Sequence, residues 1–162
     1  MFRPTYINAE YIASVNEYTL RFGAPDRSGK YKPTNVGFGY SYVLPIVVAA
    51  LLAKPDSVFI IENPEAHLHP QAQSILSKFL ALVSKTGVQI FIETHSEHII
   101  NAPRVMVVQE AFKSDDLRIL YFDEKFPAKH IPIEVLSDGR IAEWPDGFFD
   151  QSELDNDIIL GL

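Results

Sequence analysis

Four side chains that can hold a metal ion or move a proton follow two short apolar runs: Glu62, Glu65, Glu93 and His95. The apolar runs are residues 57–61 and 88–92. Carboxylates bind Mg²⁺ or accept protons, and histidine forms hydrogen bonds with phosphate or water near neutral pH. These residue types suit metal-assisted hydrolysis, provided that the two runs lie side by side.

The surrounding pattern predicts that the two runs are neighbours. Both are rich in β-branched and aromatic residues without alternation, which is typical of parallel strands buried on both faces. Between them, Pro70 opens a segment whose apolar residues recur with helical periodicity up to Val83. A strand–helix–strand unit of this length pairs its strands in parallel. Because ligands bind beyond the carboxyl ends of such strands, we expect the four side chains to form one patch.

The remaining pattern completes an α/β prediction. An apolar, Ala-rich stretch at 39–53 predicts a largely buried helix, and residues 117–122 and 131–136 predict further strands. Residues 1–34 predict extended or irregular chain, and a helix starting at Ser96 is expected to break near Pro103. We therefore expect a mainly parallel sheet with flanking helices.

Composition restricts the class of protein. The 162 residues contain no cysteine, which excludes disulfides, thiolate zinc sites and a cysteine nucleophile. No apolar stretch approaches the roughly 20 residues that span a bilayer. The net charge is −7 and no dense Lys/Arg cluster is present, so this segment is not expected to contact nucleic acid directly. We expect a cytoplasmic globular protein without membrane contact.

Several motifs resemble one family of ATPases. Residues 58–70 (VFIIENPEAHLHP) resemble the Walker B and D-loop segment of ABC-like ATPases, most closely the overcoming-lysogenization-defect branch. Residues 93–96 (ETHS) are similar to the switch-histidine segment of that family, and residues 35–41 (NVGFGYS) occupy the place of its signature loop. The tail at 144–150 (WPDGFFD) resembles the uncharacterised C-terminal module of one subgroup.

The resemblance implies the C-terminal part of a P-loop NTPase fold. Residues 1–112 would belong to the ATPase domain, and residues 113–162 would form a small module that completes the sheet. ATP and Mg²⁺ would be the ligands, with Glu62 on Mg²⁺ and His95 on the γ-phosphate or the attacking water. In a dimer, a signature-like loop would face the nucleotide of the partner subunit through Gly37, Gly39 and Ser41.

Two positions depart from the family pattern. Asn63 stands where the general base is usually glutamate, so either Glu65 substitutes or hydrolysis is slow. The only P-loop candidate, residues 23–31, has five residues between its glycines instead of four and Tyr31 in place of Ser or Thr. We therefore expect the C-terminal fragment of a larger ATPase, or one half of a split one, that is inactive without a P-loop-bearing segment.

Two other functions stay open on the sequence alone. A metal-dependent hydrolase would draw its ligands from Glu65, His67, His69, His95 and His98. A non-catalytic interaction module is favoured by the missing P-loop and by Asn63. Metal analysis would identify the hydrolase, and nucleotide binding with and without a P-loop-bearing partner would separate the module from an ATPase half.

Overall fold

The computed structural model describes residues 6–23, 29–32, 37–122 and 130–161. The chain divides after Ile99 into two compact units. The domain boundary expected at residue 112 rests on family motifs and not on packing, so it stays a prediction.

The first unit begins with a small antiparallel sheet, where the sequence predicts only extended or irregular chain. Strand β1 (Tyr6–Ile12) pairs along its whole length with β2 (Glu17–Gly23), and β3 (Lys30–Tyr31) pairs with the end of β2. In the turn between β1 and β2, Asn16 has a φ of 54°, a left-handed conformation that asparagine tolerates. None of these strands pairs with the strands that end at the candidate site.

The strand–helix–strand unit expected from the sequence is present. Strands β4 (Val58–Glu62) and β5 (Gln89–Glu93) are parallel, and helix α2 (Pro70–Ser84) connects them. Helix α1 (Phe38–Leu52) precedes β4. Gly87, with a φ of 91°, supplies the left-handed turn from α2 into β5. The prediction of two parallel strands flanked by two helices is confirmed.

Both helices pack on one face of the β4–β5 pair. The buried core on that face consists of Ala50, Ile61, Leu76, Leu80, Val83 and Val88. On the opposite face, here called the outer face, Val58, Ile60 and Phe91 are 57%, 69% and 50% exposed. The expectation that the strands are buried on both faces is wrong for the described residues, because no described helix covers the outer face.

The expectation of a mainly parallel sheet is also wrong. The described strands form three small sheets, and only β4–β5 is parallel. Strands β6 (Ile119–Phe122) and β7 (His130–Ile133) pair with each other in antiparallel register. The reason is connection length, since only residues 123–129 separate these strands and a parallel crossover needs about a dozen or more residues. The α/β class itself is correct.

Helix α3 (Glu97–Val108) continues through Pro103, where the sequence predicts a break. Proline lacks the N–H that would bond to the carbonyl four residues earlier, here that of Ile99. The Ser77 hydroxyl of α2 donates to this carbonyl oxygen at 2.6 Å, and its side chain is buried. The carbonyl therefore keeps a partner, which removes part of the cost of proline inside a helix.

The second unit is organised by aromatic side chains. Phe148 is 3% exposed, and its ring centre lies 5.4 Å from that of Tyr121 and 5.3 Å from that of Trp144. Residues 144–150 are irregular, and an exposed acidic helix α4 (Gln151–Leu160) follows them. No helix in the described part of the chain is long and apolar enough to cross a membrane.

A turn next to α3 is held by charged side chains in the second unit. The Arg104 guanidinium donates to the carbonyl oxygen of Gly139 at 2.9 Å, and burial lowers its pKa. Gly139 has a φ of 78°, and a Cβ there would lie 2.7 Å from Val108 Cγ2. Glycine is thus required at 139. The neighbouring Asp138 is also held in this turn, because its carboxylate accepts hydrogen bonds from the backbone N–H and guanidinium of Arg140, which lower its pKa.

Candidate functional site

The carboxyl ends of β4 and β5 lie side by side and bring together two of the predicted acidic residues. The register pairs Glu62 with Glu93, and the Asn63 N–H extends the pairing by donating to the Glu93 carbonyl oxygen at 2.9 Å. Paired residues of neighbouring strands point to the same face, so both carboxylates lie on the exposed side. Adjacent like charges repel each other, and a cation between them would relieve the repulsion.

His95 lies just beyond β5 and faces solvent. Its Nε2 is 3.0 Å from Oε1 of Glu93, and the two side chains are 80% and 51% exposed. Exposed pairs of this kind contribute about 1 kcal/mol or less, so Glu93 orients the ring only loosely. The ring remains accessible to a ligand at the end of the sheet.

The backbone conformation at residue 63 explains why asparagine occupies this position. Asn63 has a φ of 48°, a left-handed conformation that asparagine adopts more readily than glutamate does. Its carbonyl oxygen accepts hydrogen bonds from the Ala66 N–H at 3.0 Å and from the Tyr42 hydroxyl at 2.9 Å. A conformational requirement therefore accounts for an amide residue at the position where the resembled family usually has glutamate.

Glu65 links the β4–α2 loop (residues 63–69) to the β5–α3 loop (residues 94–96). Its Oε2 accepts a hydrogen bond from the Thr94 hydroxyl at 2.8 Å, and its Oε1 accepts one from the His95 backbone N–H at 2.7 Å. Both carboxylate oxygens are thus engaged by the segment that carries the candidate histidine. This geometry favours a role in positioning over a role as general base.

Gln73 is a residue of this region that sequence reasoning missed. From the first turns of α2, its amide nitrogen donates to the Leu68 carbonyl oxygen at 2.8 Å and to the Glu65 carbonyl oxygen at 3.4 Å. Its amide oxygen accepts from the Ser96 hydroxyl at 2.6 Å. The Ser96 hydroxyl also accepts a hydrogen bond from the His98 N–H at 3.1 Å, at the start of α3. The only signal for Gln73 in the sequence is a polar residue soon after Pro70, which by itself indicates nothing.

The histidines of the β4–α2 loop have structural partners. The His67 ring makes edge contacts with Phe38 and Tyr42 of α1, with centroids 4.5 Å and 5.8 Å apart. The His69 Nδ1 accepts the Gln71 N–H at 3.3 Å and caps α2. Among the described residues, no group of three or more His, Asp or Glu side chains is arranged to hold a metal ion. The geometry therefore does not favour the hydrolase alternative.

The signature-like residues lie at the start of α1. Gly37 is the N-terminal cap of α1, and residues 33–36, which include Asn35 and Val36, lie outside the described residues. A Cβ on Gly39 would lie 2.9 Å from the His67 carbonyl oxygen and 3.1 Å from Leu68 Cδ2. Close approach of α1 to the β4–α2 loop thus requires glycine at 39. Ser41 lies in the same first turns of the helix.

The candidate P-loop lies in a different structural context. Residues 24–28 are outside the described part, but Gly23 ends β2 and Lys30 begins β3, and these two residues pair in antiparallel strands. A P-loop connects a strand to a helix, and its backbone amides surround the phosphates. The strands on either side of residues 24–28 instead pair with each other in antiparallel register, and in the described residues no helix begins directly after them, unlike in a P-loop.

Comparison with known families gives two matches that together span most of the chain. Residues 7–100, more than half of the chain, match the model of a family described as an AAA ATPase domain. Residues 112–157 match a family described as a protein of unknown function (DUF3696). No curated protein matches the chain significantly. The first match includes both loops of the candidate site.

Proposed function

Because this chain belongs to the AAA ATPase domain family, we propose that it supplies the Walker B strand, the D-loop and the switch histidine of an ABC-like ATPase. The observation that carries the proposal is the parallel pairing of β4 with β5, which sets Glu62 beside Glu93, whose carboxylate in turn lies 3.0 Å from His95. An ATPase needs a metal ligand and a group that contacts the γ-phosphate at one end of its sheet. Glu62 and His95 fill these two roles.

The donor set is compatible with Mg²⁺ and ATP. Among the described residues, no side chain forms a hydrogen bond or ion pair with the Glu62 carboxylate, which lies next to a second carboxylate at Glu93. Mg²⁺ commonly takes only one or two protein carboxylates and keeps water and phosphate oxygens as its other ligands. The absence of a three-residue metal group among the described residues is therefore consistent with such a site. Bound Mg²⁺ would neutralise charge that develops on the phosphates.

The residues around these two groups position them. Glu65 holds the His95 backbone through one carboxylate oxygen and Thr94 through the other. His95 donates a hydrogen bond to the γ-phosphate or to the attacking water. Asn63 supports the turn after β4 and does not accept the proton, because its amide is not a base at neutral pH. Slow hydrolysis follows unless a carboxylate from outside this chain assists.

The P-loop comes from a separate segment, which we propose packs on the outer face of β4–β5. Parallel sheets occur almost only with both faces covered, whereas Val58, Ile60 and Phe91 are at least half exposed. This face ends at Glu62 and Glu93, so a segment that covers it would bring phosphates to the two carboxylates. In a dimer, the start of α1, with Gly37, Gly39 and Ser41, faces the nucleotide of the second copy.

Titration of nucleotide into two forms of the protein tests the proposal. The 162-residue chain should bind Mg-ATP more weakly than micromolar, because backbone amides and the lysine of a P-loop supply most phosphate contacts. The complete ATPase, with its P-loop segment present, should bind at micromolar concentrations or below. Ile60→Asp on the outer face should reduce that affinity without unfolding the chain, and Val48→Asp, an exposed position on α1, is the matched control. Micromolar binding by the 162-residue chain contradicts the proposal.

A further inference from the structure

We propose that Gln73 is a positioning residue that fixes the β4–α2 loop against the β5–α3 loop and so sets the distance between Glu62 and His95. Its consequence for catalysis rests on the proposed function, whereas the fixing of the two loops rests on contacts alone. Gln73 itself touches neither of the two candidate catalytic side chains.

The partners of Gln73 determine how its amide is oriented. Carbonyl oxygens only accept hydrogen bonds, so the group facing Leu68 and Glu65 has to be the NH₂. The amide oxygen then faces Ser96, whose hydroxyl donates to it. The same hydroxyl accepts the His98 N–H, so each polar atom in the chain of contacts has a partner of the right kind. One side chain thus joins both loops to the first turns of α2.

Gln73 acts together with a second link. Glu65 bonds to Thr94 and to the His95 N–H, while Gln73 bonds to Ser96 on the other side of the histidine. The β5–α3 loop is therefore held on both sides of His95. The β4–α2 loop is also anchored, because Pro64 is fully buried. Neither loop can shift relative to the other without breaking one of these hydrogen bonds.

The substitution Gln73→Glu tests this arrangement with little change of shape. A carboxylate can still accept from the Ser96 hydroxyl, but it cannot donate to the two carbonyl oxygens and would repel them. Gln71→Glu is the matched control, because it makes the same chemical change two residues earlier on the exposed surface of α2. Ser96→Thr retains the hydroxyl, and Ser96→Ala removes it.

Amide hydrogen exchange on the 162-residue chain measures the loop contacts without reference to ATP. We expect Gln73→Glu and Ser96→Ala to raise the exchange rates of the His95 and His98 amides about five- to tenfold, as loss of a hydrogen bond of ordinary strength would. Ser96→Thr and Gln71→Glu should leave these rates unchanged. Unchanged exchange in Gln73→Glu would overturn the inference.

Steady-state kinetics of the complete ATPase measure the consequence for catalysis. We expect Gln73→Glu to lower kcat about tenfold to a hundredfold with little change in KM, since small misplacements of catalytic groups have effects of this size. Ser96→Thr should restore most of the activity that Ser96→Ala loses. Faster exchange with an unchanged kcat would overturn the positioning role while leaving the proposed function intact. A wild-type enzyme without ATPase activity would overturn the proposed function, and the exchange result would still decide the loop contacts.

Discussion

Replacing Gly39 with alanine has two opposing effects on the free energy of unfolding: alanine favours the helix, but its methyl group enters a close contact. Gly39 is the second residue of α1, and a Cβ there would lie 2.9 Å from the His67 carbonyl oxygen and 3.1 Å from Leu68 Cδ2. The nearer atom belongs to the backbone of the β4–α2 loop, so it cannot move aside as a flexible side chain would. Alanine therefore separates the start of α1 from the loop that follows β4.

The sizes of the two effects predict the sign of the change. Alanine favours a helix over glycine by about 0.8–1.0 kcal/mol in a helix interior, and by less in the first turn. Forcing a methyl group into a packed contact costs about 1–3 kcal/mol. The free energy of unfolding should therefore fall by about 0–2 kcal/mol. The ring contact between Phe38 and His67, now 4.5 Å between centroids, should loosen as the two segments separate.

Urea unfolding followed by circular dichroism measures the stability change, and amide chemical shifts of His67 and Leu68 report the local displacement. Gly37→Ala is the control, because among the described residues no atom beyond its chain neighbours lies within 4 Å of a Cβ at this position. It should cost no more than a helix-cap effect of about 1 kcal/mol and leave both amide shifts unchanged. A Gly39→Ala variant that is more stable than wild type, with unmoved shifts, would refute the close-contact argument.

Two further predictions concern the β4–α2 loop. Asn63→Glu should lower the free energy of unfolding by about 1 kcal/mol because of the left-handed backbone at this position, whereas Asn63→Gly should change it much less. Urea unfolding measures both variants, and equal stability of the Glu and Gly variants would contradict the backbone explanation. Glu65→Gln should retain measurable ATP turnover in the complete ATPase, because the amide oxygen can still accept the His95 N–H; complete loss of turnover with unchanged exchange of that amide would instead identify Glu65 as the general base.

The sequence predicted the elements best where local pattern decides the structure. Unalternating β-branched runs and the helical periodicity between them gave β4, α2 and β5, and the parallel pairing followed from the length of the connection. The same length argument, applied to residues 123–129, would have predicted the antiparallel pairing of β6 with β7. The error was to assume that every apolar strand joins one sheet.

The features that the sequence missed depend on contacts between distant residues. Pro103 is accommodated in α3 because Ser77, on another helix, bonds to the Ile99 carbonyl oxygen. Gln73 is joined to the β5–α3 loop by the Ser96 hydroxyl. No local pattern encodes either partner, so neither could be inferred from composition or periodicity. Glu62 and Glu93, by contrast, come together because they end neighbouring strands.

Steady-state ATPase rates of Glu62→Gln and His95→Ala in the complete ATPase test the central claim most directly. Both side chains are exposed at the ends of strands, so their truncation leaves no cavity in the core and circular dichroism should be unchanged. We expect each substitution to lower kcat by about a hundredfold or more. Glu143→Gln, which changes an exposed carboxylate in the second unit, should retain wild-type turnover. Wild-type rates in both Glu62→Gln and His95→Ala would contradict the assignment of this surface as the catalytic site.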